Sequence, residues 1–266
     1  MIGIFDSGSG GLSVFREIRK LLPEQAYSYF ADNAFCPYGE KTPAFIRERA
    51  RVITDHLLER GAQIIVVACN TATAAAIAAL RSEYSEPNPR VRELTGGRRD
   101  RIRFIGMEPA VKPAALGTCT GVIGVLATAG TLKGSKYIHT KGIYEDNVKI
   151  VEGVGRGFVE LVERGVLEGP EAEETVRRGL QPLLDARADR IVLGCTHYPF
   201  LRPVIEKIAG PDVEIIDPAP AVARHLVEVM REEGIPFRAE RPGVELMSSG
   251  NPASAERIFK LIPYHA

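Results

Sequence analysis

The chain has 266 residues, with 34 basic and 34 acidic side chains and a formal net charge of zero. That balance excludes the basic profile of a nucleic-acid binder and the acidic profile of a solvating tail. A hydrophobic fraction of 45% and a charged fraction of 26% exclude collagen-like, disordered and small disulfide-framework classes.

Met1-Ile-Gly-Ile-Phe-Asp6 opens the chain as an apolar run that ends in a carboxylate. A secretory signal needs a basic start and an apolar stretch of ~7–15 residues, so the expected compartment is the cytoplasm, where thiols stay reduced. The run Ile2–Phe5 reads as a strand. The Gly-rich turn Asp6-Ser-Gly-Ser-Gly-Gly-Leu12 then leads into a helix over Leu12–Leu21. The turn has neither GxGxxG nor GxxxxGK[ST] spacing, so it reads as a site for a small anion rather than a nucleotide. Tyr27–Phe30 is the next strand and leads to Ala31-Asp32-Asn33 and the loop Pro37-Tyr38-Gly39. From that loop Tyr38 could donate a hydrogen bond to a carboxylate, and Gly39 could offer an amide. A helix follows over Ala44–Arg60.

Ile64–Ala68 reads as a buried strand that ends at Cys69-Asn-Thr71 and runs into an Ala-rich helix. The uncharged stretch Ile64–Leu80 is short for a membrane span and carries Asn70, Thr71 and Thr73 in its middle, so no membrane partner is expected. Ser82–Arg103 lacks apolar periodicity, holds Pro87, Pro89, Gly96 and Gly97, and reads mostly as a mobile surface insertion. Further strands are expected at Phe104–Met107, Gly121–Leu126, Ile191–Leu193 and Val213–Ile216. Helices are expected over Ala172–Arg187 and Ala219–Glu233. This alternation predicts an α/β protein with mainly parallel sheets flanked by helices.

The chain also repeats itself. Ile2-Gly-Ile-Phe-Asp-Ser-Gly-Ser-Gly10 resembles Ile123-Gly-Val-Leu-Ala-Thr-Ala-Gly-Thr131, and Ile65-Val-Val-Ala-Cys-Asn-Thr71 resembles Ile191-Val-Leu-Gly-Cys-Thr-His197. Ile2 precedes Cys69 by 67 residues, and Ile123 precedes Cys195 by 72. Two similar lobes are expected, with the two cysteines on opposite walls of one cleft. A thiol where a strand becomes a helix is expected to have its pKa lowered. No two of the four cysteines form a CxxC pair, which argues against a zinc ribbon or a thioredoxin motif. Cys36 and Cys119 lack the strand-end setting and read as structural. Two thiols facing one carbon could remove a proton from one side and deliver one to the other, inverting a stereocentre. A neighbouring carboxylate would then need dense hydrogen-bond donation. A phosphatase-like Cys-x5-Arg loop does not fit, because six residues separate Cys195 from Arg202.

At these residues the chain resembles the glutamate racemases of the cofactor-independent aspartate/glutamate racemase superfamily. The resemblance covers nearly the whole chain. It runs through Phe5-Asp-Ser-Gly-Ser-Gly-Gly11, Pro37-Tyr38-Gly39, Ala68-Cys-Asn-Thr71, Glu108-Pro-Ala-Val-Lys-Pro113, Leu126-Ala-Thr-Ala-Gly-Thr131, Leu193-Gly-Cys-Thr-His-Tyr-Pro-Phe200, Asp217-Pro218 and Ser249-Gly-Asn-Pro252. It implies a two-domain α/β fold with the active site between the domains, the first lobe from 1–106 and 219–266 and the second from 107–218. It implies interconversion of L- and D-glutamate for peptidoglycan, with no pyridoxal phosphate and no metal. Cys69 and Cys195 would be the proton carriers, the first acting on D-glutamate and the second on L-glutamate. Asp6 would assist Cys69, and His197 would assist Cys195. Glu163, in Leu161-Val-Glu-Arg-Gly165, would be an acid near the site. Ser7, Tyr38, Gly39, Asn70, Thr71, Thr196 and His197 match substrate-binding positions, as does Asp6. Thr128 and Thr131 are matching carboxylate ligands in the second lobe. The family's Ala-Cys-Pro element is replaced by Val154-Gly-Arg-Gly-Phe158, and Ser82–Arg103 is longer than the family's usual connection.

The resemblance also implies a homodimer. Some family members bind DNA gyrase, a role nothing in this neutral chain shows, and no nucleic-acid partner is expected. An aspartate or hydantoin racemase is the nearest alternative, and His197-Tyr198-Pro199 favours glutamate. A non-catalytic two-lobe binding protein is the alternative of another class. The paired thiols and the absent export signal argue against it.

Overall fold

The structure is a computed structural model, described for residues 1–262; positions 263–266 of the expected first lobe lie outside the described residues. Two parallel sheets form its frame. The first contains β1 (Ile2–Asp6), β2 (Ala26–Ala31), β3 (Ile64–Val67) and β4 (Phe104–Ile105). The second contains β5 (Val122–Ala127), β6 (Lys149–Val154), β7 (Arg190–Gly194) and β8 (Glu214–Ile216). The chain then returns to the first sheet through the helix Ala219–Glu232 and adds β9 (Gly243–Ser248) beside β2.

The internal repeat has a topological counterpart. The first sheet runs β4-β3-β1-β2-β9, and the second, read from its β8 edge, runs β8-β7-β5-β6. The same four-strand order therefore occurs twice, with Cys69 following β3 and Cys195 following β7 at equivalent places. Alternate residues of each inner strand divide between two cores, as the two-residue strand period requires. Ile64, Val66, Ile191 and Leu193 face one apolar core shared by both lobes. Ile65 and Val67 face a core under the helices of the first lobe, and Val192 faces a core in the second. Burying each such side chain contributes about 1.5–3 kcal/mol.

Three expectations are corrected. The segment 82–103 is not a bare loop. The helix after Cys69 continues to Tyr84, and a second helix spans Pro89–Leu94, capped by the Asn88 side chain on the Arg90 N–H. Val91 and Ile102 are buried, and Ser85 Oγ donates to the Ile102 carbonyl at 2.9 Å. A few buried anchors replace periodicity here. Strands β6 and β9 were not anticipated, because each is an edge strand with polar and half-exposed positions. Finally, β7 leads first into a 3-10 turn, Tyr198–Leu201, and only then into the helix Arg202–Ala209, so Cys195 does not stand at an α-helix N-terminus.

Candidate active site

Asp6 ends β1 and is fully buried. Its Oδ2 accepts the Gly11 N–H at 2.9 Å and the Gly8 N–H at 3.3 Å, while the Ser7 hydroxyl donates to Oδ1 at 3.4 Å. The Gly-rich turn therefore closes on the chain's own carboxylate instead of presenting these amides to an outside anion. A buried carboxylate needs such partners. Cys69 caps the helix Asn70–Tyr84, its sulfur accepting the Ala72 N–H at 3.4 Å and donating to Ser7 Oγ at 3.7 Å. Burial pushes the Cys69 thiol well above its usual range, the Asp6 charge adds to this, and the Ala72 N–H opposes both only in part. The expected lowering by the helix end is thus outweighed. Burial also raises Asp6, against the pull of His197.

The wall around Cys195 differs. His197 Nδ1 lies 3.8 Å from Cys195 Sγ, and Nε2 lies 2.8 Å from Glu163 Oε1. Burial disfavours a charged His197, but hydrogen bonds to Cys195, Cys36 and Glu163 outweigh it and raise its pKa well above the usual value. Glu163 is lowered to about 2: burial opposes ionisation, and hydrogen bonds from His197, Ser254 and the Ser9 N–H overcome it. Ser9 donates twice to Oε1, from N–H at 2.7 Å and from Oγ at 2.9 Å. Glu163 is carried by the helix Phe158–Arg164, which is bracketed by Gly157 and Gly165, both in the left-handed region at φ +82° and +77°. The replaced element ahead of it therefore still delivers the acid to the site. The turn glycines matter for close approach. A Cβ on Gly10 would collide with the His197 ring, and one on Gly8 with Glu163.

Both cysteines line one cavity between the lobes, with Ser7, Tyr38, Gly39, Asn70, Thr71, Thr128, Thr196 and His197 also in its walls. It encloses only about 10 Å³. An outer cavity of about 260 Å³ adjoins it, sharing Pro37, Gly39, Thr128 and Val159 and adding Arg156. Three hydroxyls form a cluster, with Thr71 Oγ1 at 2.8 Å from Thr128 Oγ1 and 3.3 Å from Thr131 Oγ1, and the last two 3.0 Å apart. Asn70 Nδ2 and Oδ1 are buried with no hydrogen-bond partner among the described residues, so both remain available. Tyr38 departs from expectation. Its hydroxyl donates to the fully buried Asp32, which also takes a two-pronged bond from Arg49 at 2.7 and 2.9 Å. What Tyr38 can offer to the cavity is its backbone and ring.

Sequence reading overlooked Ser9, Ser254 and Cys36. Ser9 lies inside the Gly-rich turn, where its alternation with Ser7 was the available signal. Cys36 reads from sequence as structural, yet its sulfur lies 4.0 Å from Glu163 Oε1. Cys119 is exposed. No helix among the described residues is long and apolar enough to cross a membrane.

Comparison with known proteins places this geometry in a family. Residues 2–226 match the family model Asp/Glu/Hydantoin racemase. The glutamate racemase of Methylococcus capsulatus is 47% identical over 252 residues, covering 95% of this chain and 87% of that protein. Among solved structures, Escherichia coli glutamate racemase, crystallised with L-glutamate and the activator UDP-MurNAc-Ala, has a TM-score of 0.83 at 32% identity, over 98% of this chain and 92% of that one. The Bacillus anthracis isoform RacE1 has a TM-score of 0.83 at 31% identity, with the same coverage. The chain belongs to the Asp/Glu/hydantoin racemase family, and within it to the glutamate racemases.

Proposed function

We propose that the chain interconverts L- and D-glutamate by carrying protons on Cys69 and Cys195, and so supplies D-glutamate for peptidoglycan in the cytoplasm. The observation that carries this reading is the pair of thiols from equivalent strands, lining one closed cavity with donors suited to a carboxylate. In the L-to-D direction Cys195 takes the α-proton, with His197 and Glu163 supporting its thiolate. Cys69, held protonated by burial and by Asp6, delivers its proton to the opposite face. In the reverse direction Cys69 is the acceptor and Asp6 assists it. The carbanion needs a neighbouring carboxylate polarised by hydrogen bonds. Asn70, Thr71, Thr128, Thr131 and Thr196 supply side-chain donors, and Ser7 and Gly39 complete the walls. The tight cavity implies that the lobes part for entry and close for reaction.

The lobe limits 1–106 with 219–266, and 107–218, are part of the same proposal, supported by the division of strands between the sheets. Assembly as a homodimer rests on the resemblance alone. The test is incubation with L-glutamate in heavy water without added cofactor. The expected outcome is deuterium at the α-carbon together with loss of optical activity. Exchange with aspartate but not glutamate would overturn the substrate assignment.

A further inference from the structure

One thiol beside the site has no part in the proton transfer. Cys36 Sγ, a Glu163 carboxylate oxygen and a His197 ring nitrogen all lie within 4.8 Å of one another. Glu163 Oε1 is 2.8 Å from Nε2 and 4.0 Å from Sγ. Thiolate, carboxylate and imidazole together form a ligand set for Zn²⁺ and its thiophilic relatives. Around a tetrahedral Zn²⁺ the sulfur and oxygen would stand ~3.5 Å apart, and the nitrogen and oxygen ~3.3 Å apart. Side-chain shifts of ~0.5 Å reach both values. Ser9 already fixes the carboxylate through two donated hydrogen bonds, the kind of outer support that orients metal ligands. An entry path exists, because a cavity of about 520 Å³ borders Cys36 and Glu163 and has neither Cys69 nor Cys195 in its walls. It has room for a water as fourth ligand.

We propose that Cys36, Glu163 and His197 form an inhibitory site for Zn²⁺ or a similar thiophilic divalent cation, bound through Sγ, Oε1 and Nε2. Binding releases the Cys36 thiol proton, and any proton on His197 Nε2, to solvent. The metal on Nε2 fixes the imidazole as its Nδ1–H tautomer. Nδ1 is the atom that faces Cys195 Sγ. In the metal-free ring, an imidazolium can pass its Nδ1 proton to the Cys195 thiolate and leave a neutral imidazole; with the metal on Nε2 the same transfer would leave an imidazolate, and the relay stops. The inhibition rests on the reading of His197 as the helper of Cys195; the binding does not.

The experiment has two arms. Cd²⁺ is titrated into the full chain carrying Cys69→Ser, Cys119→Ser and Cys195→Ser, which leaves Cys36 as its sole thiol. One Cd²⁺ per chain is expected, with the ultraviolet absorption of a thiolate–cadmium bond. Adding Glu163→Gln or His197→Asn should weaken binding about tenfold or more. Absence of the absorption, or an affinity that neither added substitution lowers, overturns the site. In the second arm, Zn²⁺ inhibition of racemisation is compared in the unsubstituted chain and in Cys36→Ser, each relative to its own metal-free rate. A shift of about tenfold or more to higher Zn²⁺ is expected in Cys36→Ser. An unshifted curve assigns inhibition to the other thiols and overturns the inhibitory role. Cadmium binding without any zinc inhibition leaves the site standing and sinks the His197 relay instead.

Discussion

The two walls of the cleft come from equivalent strands but hold their thiols by opposite means. Cys69 is surrounded by burial and an anion, so its proton is retained. Cys195 faces an imidazole whose far nitrogen is tied to an ionised carboxylate. One wall favours the thiol, and the other sets an imidazole of raised pKa beside the sulfur. The repeat supplies the placement, and the residues around each sulfur supply the difference. A two-base racemase needs one acid and one base at any instant, and in the proposed mechanism the burial and the anion around Cys69 suit it to the part of the acid.

The largest expected effect removes either sulfur. Cys69→Ser and Cys195→Ser should each lower racemisation by about 10³-fold or more, with circular dichroism unchanged. Near-normal turnover in either variant breaks the two-wall account. Next come the helpers, His197→Asn and Asp6→Asn, each expected to cost about 10²-fold. Because the enantiomers are equal in free energy, kcat/KM must fall equally in both directions, so the asymmetry has to be read elsewhere. The α-deuterium isotope effect should grow more for L-glutamate in His197→Asn, and more for D-glutamate in Asp6→Asn. Equal changes in both variants would remove the assignment of helpers to walls.

Gly10→Ala is expected to cost about tenfold in kcat, because the added methyl displaces the His197 ring while leaving the Cys69 wall alone. Full activity in that variant would show that the imidazole tolerates another position. The smallest effect is on stability. Glu163 is lowered from 4.5 to about 2 in the folded chain, so its contribution is present above pH 4.5 and is lost as the pH falls toward 2. His197 is raised, so its contribution is full below 6.5 and is lost as the pH rises through its folded value. Urea unfolding of Glu163→Gln should therefore lie closest to the unsubstituted chain at pH 2. The gap should widen to its largest between pH 4.5 and 6.5. A gap that stays constant from pH 2 to pH 4.5 would deny the ion pair its role.

Much of this was legible in the amino-acid sequence. Continuous apolar runs such as Ile64–Val67 mark strands buried on both faces, and the repeat places Cys69 and Cys195 at equivalent ends. The edge strands β6 and β9 escape the same reading, since Lys149–Val154 buries little of itself and Gly243–Ser248 only half-buries its side chains. The raised pKa of Cys69 escapes the sequence because a helix end is visible there while burial is not. Cys36 and Ser254 were overlooked because they approach Glu163 only through tertiary packing, across 127 residues for Cys36. The Tyr38 hydroxyl was misassigned for a similar reason: its partner Asp32 competes for it inside the first lobe.

The narrow inner cavity also bears on how the protein ages and how it can be timed. Cys119 is open to solvent, while Cys69 and Cys195 lie behind walls that admit about one water. An alkylating reagent should therefore mark Cys119 at once and the paired thiols only when the lobes separate. The lag between the two, followed by mass spectrometry, becomes a clock for opening. The same shelter keeps oxidants from the reactive sulfurs for as long as the cleft stays shut.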